Sequence, residues 1–327
     1  MSSINRARAT WATITRSYSI YLVLIVLLVI SSIINPNFFS GTNLSNVTRQ
    51  ISVTTILAFG ETILIICGLL DLSSGSVLAL SGLLSVACFK ATGSMPLAFG
   101  VAIAVAMLCN LLSALMVTRF AAPSFIATLA MQEMARGAAL LFSKGQNIYQ
   151  IGDYVKLGQG SLGFMPIPLL FLLGLFGMTW YILKNTCFGR SLYAIGGNQE
   201  AAKASGIDVN RTKIMAFLVN GLLVGIAGVL FMSRVNAGLP NGAVNYEFQG
   251  LTSSIIGGTS FSGGIGTAGG TVVGAFIVGF LNNIMNLANI NSYMQQIARG
   301  AIISLAVIYD IWTKNRRTRS LVQSVTK

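Results

Sequence analysis

The chain has 327 residues, of which 54% are hydrophobic and only 9% charged, and its mean hydropathy is +0.75. Soluble domains carry about 25% charged residues, so most of this surface must face lipid. The net charge of +13 does not point to nucleic acid, because the basic residues cluster beside apolar runs and at the ends, and the absence of histidine excludes His-based catalysis, His metal ligands and His proton relays.

At the start, Arg6, Arg8 and Arg16 precede the apolar run 18–34. The run is long and no small-x-small cleavage site follows it, so it reads as a retained first span. Further apolar stretches follow at 51–70, 72–90, 97–118, 123–143, 167–183, 214–233, 248–265, 271–289 and 294–312. A bilayer crossing takes about 20 residues. The pattern predicts an all-α integral membrane protein of ten spans, one transmembrane domain over 1–327. It has an N-terminal tail at 1–17, a polar segment at 185–213 and a basic tail at 313–327. Ten spans put both termini on one side. If that side is the cytoplasm, the inside segments hold 14 of the 21 Lys and Arg residues and the outside segments 5, as the positive-inside rule requires. Arg49 and Arg234 count among the outside residues. Cys67, Cys88 and Cys109 lie in apolar runs and no C-x-x-C pair occurs, so neither a disulfide framework nor a zinc site is indicated.

Two places interrupt the apolar pattern. Between spans two and three stands Cys67-Gly-Leu-Leu-Asp-Leu-Ser-Ser-Gly-Ser76, where Asp71 is expected to N-cap the third helix and Gly75 to sit at a break. Glycines then crowd 257–270, with Gly257, Gly258, Gly263 and Gly264 as candidate hinges. Broken helices in matching positions of two halves point to a transporter; the alternative for the glycines is close helix packing.

The 185–213 island is built like a docking helix. Asn198 is an N-cap, Glu200 lies in the first turn where the helix dipole favours an anion, Ala201, Ala202 and Ala204 favour helix, and Gly206 stands where a left-handed residue would end it.

Ionisable and polar residues inside spans are the remaining candidates. Glu61 reads either as a pathway residue or as a neutral buried acid with hydrogen-bonded neighbours. Glu133 and Arg136, three apart, are expected to pair. Asn282, Asn286 and Asn289 share a helical face, with Asn283 adjacent. That amide stripe suits an uncharged polyhydroxylated solute, or serves to hold helices together. Phe125 offers a stacking face, and Thr54, Thr55, Ser124 and Thr128 are further pathway candidates. No G-x-x-x-x-G-K-[ST] loop is present, so ATP would have to be bound by another chain.

The run 188–207 resembles the cytoplasmic signature of ribose/galactose-type ABC importer permeases. So do Asp71-Leu-Ser-Ser-Gly-Ser76, Pro123-Ser-Phe-Ile-Ala-Thr-Leu129, the stretch 257–266 and Phe280-Leu-Asn-Asn-Ile-Met-Asn-Leu287. The likeness covers about residues 36–312. Branched-chain amino acid permeases share a similar glycine stretch but not the Ala-Ile-Gly-Gly-Asn run. The resemblance implies a bacterial inner-membrane permease subunit with no catalytic residues, no metal and no cofactor of its own. Its expected partners are a second permease subunit, a cytoplasmic ABC ATPase that uses ATP and Mg, and a periplasmic or lipid-anchored sugar-binding protein. It carries the ATPase-coupling role onto Gly196, Gly197, Asn198, Glu200, Ala201 and Ala202, with Lys203 and Gly206 in the same segment. The chain departs from the family pattern at Glu61, where methionine is usual, at Gly68-Leu-Leu70, where Gly-Gly-Ile is usual, and at Gln249, where an acid is usual. Gln249 is expected on the outer side. Other readings are an amino-acid, nucleoside or furanose-signal permease of the same superfamily, and an ion-coupled secondary transporter, for which Glu61 and Asp71 are the only support. A membrane enzyme lacks any nucleophile–base pair.

Overall fold

A computed structural model describes residues 20–305, 307 and 308; the expected tails at 1–17 and 313–327 lie outside the described residues. Each of the ten expected spans corresponds to a helix. They are α1 (Ile20–Ile34), α2 (Gly41–Ile66), α3 (Ser74–Thr92), α4 (Met95–Arg119), α5 (Ser124–Ser143), α6 (Ile167–Asn185), α9 (Val209–Val235), α10 (Tyr246–Ile256), α11 (Ala268–Leu287) and α12 (292–305). Between α6 and α9 lie α7 (Cys187–Gly197) and α8 (Gln199–Ala204). Seven helices, α2 to α6, α9 and α11, are long and apolar enough to cross a membrane. The chain is therefore a multi-pass helical membrane protein.

The helix α2 is the central pillar. Its apolar window is 89% buried within the protein against 22% for α6, and it packs on α6, α9, α10 and α11. It begins ten residues before the expected span. Ser40 Oγ caps it, accepting from Asn43 N at 3.3 Å, and Asn43 exchanges amide hydrogen bonds of 3.1 and 2.9 Å with Asn283 of α11. The polar turns at 41–50 are thus helical through the Ser40 cap and the Asn43–Asn283 pair, with only Val47 among them buried.

The eighth expected span is corrected. A helix at 248–265 would cross, but α10 has only 11 residues, about half of what a bilayer needs. Glycines end it: Gly258, Gly263 and Gly264 all have positive φ, +88°, +84° and +75°, a region open to glycine at no steric cost. The stretch 257–267 is an irregular loop.

Glycine also fixes how close α9 comes to its neighbours. A Cβ on Gly221 or Gly225 would lie 2.8 Å from the backbone of Met107 or Ile103 in α4, and one on Gly82 of α3 would lie 2.7 Å from the Gly228 carbonyl. Small residues let membrane helices meet backbone to backbone.

The connection between α5 and α6 holds a two-residue hairpin, Ser161–Leu162 against Met165–Pro166, the only sheet among the described residues. Tyr154 pins this connection to the bundle. Its buried hydroxyl lies 2.8 Å from Ser85 Oγ, and its carbonyl accepts from Ser233 Oγ at 2.5 Å.

Candidate functional site

The 185–213 island folds as two capped helices. Thr186 Oγ1 caps α7, accepting from Gly189 N at 2.9 Å. Asn198 Oδ1 caps α8, accepting from Ala201 N at 3.0 Å, and Gly206 follows with φ +84°. In α8, Asn198, Glu200, Ala201 and Lys203 are exposed, while Ala202 is buried. Its neighbour Gln199 accepts from Lys213 Nζ at 2.7 Å, which ties α8 to the start of α9.

The helix α7 faces inward. It buries Leu192 and Ile195. A Cβ on Gly196 would fall 1.8 Å from the Ile66 carbonyl and 2.5 Å from the Gly264 amide. Tyr193 donates from its hydroxyl to the Gly266 carbonyl at 2.7 Å. Burial raises the Tyr193 phenol above its usual range, so it keeps the proton it donates. Gly264 N in turn donates to Ile66 O at 2.9 Å. Three expected features therefore meet at one end of the bundle: the island, the glycine stretch and the end of α2. Gly197 is exposed, while Gly196, partly exposed, lies against the protein's own backbone.

The second expected break is held from outside the segment. Gly68 has φ +77°. Leu70 N donates to Ser124 Oγ and Leu72 N to Thr128 Oγ1, both at 3.1 Å. Ser124 and Thr128, expected along the pathway, instead satisfy backbone amides that the break leaves without helical partners. Thr54 and Thr55 bond back to carbonyls of their own helix.

Asp71 does not cap α3; Ser73 is the N-cap residue. Asp71 Oδ1 accepts from Ser73 N at 2.7 Å and from Ser73 Oγ at 2.5 Å, a local turn two residues long. Its Oδ2 accepts from Ser74 Oγ at 3.0 Å and from Asn220 Nδ2 at 2.7 Å. Asn220 also reaches Asn110 Oδ1 at 3.0 Å, and Ser74 Oγ lies 2.6 Å from Glu61 Oε1. Glu61 and Asp71 are both fully buried. A Cβ on Gly75 would meet Glu247 Oε2 at 2.1 Å, so Gly75 makes room for a third buried acid. The sequence pattern did not single out Ser74, Asn110, Asn220 or Glu247; only the meeting of α2, α3, α4, α9 and α10 brings them together.

The asparagines divide. Asn282 is buried and its Oδ1 has no hydrogen-bond partner. Asn283 pairs with Asn43. Asn286 accepts from Gln295 Nε2 at 2.9 Å. Asn289 leaves the shared face, because α11 ends at Leu287 and Asn289 turns left-handed with φ 54°. Gln249 is buried in α10 and, with Asn282, Arg299 and Phe248, lines a cavity of about 500 Å³. Phe125 is half exposed on the bundle's flank. Glu133 and Arg136 do not pair; Arg136 Nη1 donates to the carbonyls of Pro240 at 2.7 Å and Gly242 at 2.9 Å. The one ion pair among the described residues is Asp153–Lys156.

Residues 43–307 match the family described as the permease component of branched-chain amino acid transport systems. The chain belongs to this permease family. Among its curated relatives, the ribose import permease protein of Haemophilus influenzae is 38% identical over 89% of this chain and 91% of its own. That of Bacillus subtilis is 37% identical with the same coverage. The L-arabinose ABC transporter permease of Azospirillum brasilense is 32% identical over 95% of this permease and 92% of its own chain. No solved structure matches the chain.

Proposed function

We propose that this permease is the membrane-spanning subunit of an ATP-driven sugar importer in a bacterial inner membrane, with both termini in the cytoplasm. The relatives' names favour a pentose-type sugar over a branched-chain amino acid. One observation carries the mechanism. An exposed, capped α8 rides on α7, and α7 rests through Gly196 on both the end of α2 and the glycine loop. A push on α8 reaches the transmembrane core without crossing a slack segment. The residues that supply the push belong to a partner ATPase, which holds the ATP and Mg. Gly196 and Ala202 belong to the transmission; Asn198, Glu200, Ala201 and Lys203 form the docking surface. The 500 Å³ cavity, the second permease copy and an extracytoplasmic sugar-binding protein complete the pathway.

Ala202→Pro tests this reading. The Ala202 amide donates to the Asn198 carbonyl at 3.0 Å, and proline removes that bond at a cost of about 3 kcal/mol. Proline at Glu200 is less informative, because it falls in the first turn, where proline is tolerated. ATP-driven uptake of ribose or arabinose by the reconstituted complex is expected to fall at least tenfold while the subunit remains inserted. Near-normal uptake, or wild-type uptake of leucine and no sugar, overturns it.

A further inference from the structure

We propose that a polar pocket at the end of the bundle opposite α7 and α8 is a sugar-receiving subsite, in which Arg49 and Arg234 donate to the solute's hydroxyl oxygens. This rests on the sugar-import reading. The pocket holds about 300 Å³ and is walled by Arg49, Arg234, Asn46, Gln50, Gln159 and Asn283. They come from the first turns of α2, the last turn of α9, the single turn Lys156–Gln159 and α11. At about 30 Å³ per water, the space equals about ten waters, enough for a monosaccharide and a few of its waters.

The two guanidiniums are held but not neutralised. Arg49 Nη2 donates to Ser161 Oγ at 3.2 Å and Arg234 Nη2 to Tyr246 Oη at 3.3 Å. Arg234 also lies over the Phe231 ring, 5.8 Å from its centroid. Neither is paired with a carboxylate among the described residues. The Nε–H of each is buried and without a partner, and a buried donor left unmade costs about 1–3 kcal/mol. With no carboxylate against them, the two guanidiniums give the pocket a donor-rich wall that an oxygen-rich ligand fits. A guanidinium fork fits two oxygens side by side, which a vicinal diol presents. The amides beside it both donate and accept, matching hydroxyls that do the same. Gln159 Nε2 donates to the Arg234 carbonyl at 2.9 Å and Asn283 is fixed by Asn43, so two of the walls are set before any ligand arrives.

The test uses the permease assembled with its ATPase in nanodiscs of phosphatidylethanolamine and phosphatidylglycerol. Saturation-transfer NMR reads binding of D-ribose, L-arabinose and D-ribose 5-phosphate. Ribose or arabinose signal is expected in the wild type, at least tenfold weaker in Arg49→Gln and Arg234→Gln, and unchanged in Arg119→Gln at the exposed end of α4. Asn46→Leu, an exposed position in the same pocket, is expected to weaken binding as well and keeps the test open if an arginine variant misassembles. Sugar signal that is absent, or indifferent to these variants, overturns the subsite. So does binding of the 5-phosphate with no binding of free sugar, which marks an anion site. ATP-driven uptake measured in parallel separates the two claims. Pocket-dependent binding without uptake counts against the transport reading alone, and uptake with pocket-independent binding counts against the subsite alone.

Discussion

The amide of Gly264 donates to the carbonyl of Ile66 at 2.9 Å, so the glycine loop closes the last turn of the central helix. Gly196 of α7 packs against both partners of that bond. A helix end, a loop and a surface helix thus share one backbone junction with no side chain between them.

Substitution at that junction is expected to be felt in coupling. In Gly196→Ala the new Cβ overlaps the Ile66 carbonyl, and overpacking of this kind costs about 1–3 kcal/mol. The variant is expected to insert normally, lose at least tenfold in uptake and keep basal ATP hydrolysis. Gly197→Ala, with open space around it, is expected to behave as wild type in the same proteoliposome assay.

The Ser74 hydroxyl lies within hydrogen-bond reach of both Glu61 and Asp71 but has a single hydrogen to give. The three groups need one more proton, carried by a carboxyl. Glu61→Gln supplies that hydrogen from its amide and is expected to change stability by no more than about 1 kcal/mol. Asp71→Ala strips partners from Ser73, Ser74 and Asn220 together and is expected to cost about 3–5 kcal/mol, the penalty of breaking a buried polar network. Thermal unfolding in detergent checks both. Infrared difference spectra are expected to show a carboxylic-acid carbonyl band that Glu61→Gln removes.

Thr128→Val keeps the shape of the side chain but removes the acceptor for Leu72 N. The orphaned amide costs about 1–3 kcal/mol. The variant is expected to unfold at lower temperature, and Thr128→Ser to recover most of the loss. Equal stability of the Val and Ser variants contradicts the role given to this hydroxyl.

Much of the architecture was legible in the sequence because lipid imposes it. Seven of the ten apolar stretches are helices long and apolar enough to cross a membrane, and Asn198 and Gly206 bound α8 as local capping chemistry dictates. What escaped depends on neighbours distant in sequence. The helix α7 was hidden by Gly189, Gly196 and Gly197, which look like breakers; Gly189 and Gly196 are there for close approach, while Gly197 faces open space. The span at 248–265 kept its apolar composition while its glycines ended the helix after 11 residues. Glu133 and Arg136 sit at pairing distance along a helix, yet the carbonyls of Pro240 and Gly242 claim the arginine. Ser124 and Thr128 carry no local sign that their acceptors serve another helix's break.

The glycine contacts of α9 with α3 and α4 also constrain movement. Where backbones touch directly, no side chain can change rotamer to let one helix slide a little past another, and packed interfaces shift between discrete arrangements rather than by degrees. The three helices are therefore joined as one block. The same close approach joins α10 and the start of the 257–267 loop to α11, where a Cβ on Gly274 would meet the Ser253 carbonyl at 2.0 Å and one on Gly257 the Gly270 carbonyl at 2.5 Å, so the membrane core is built from two blocks that resist internal sliding.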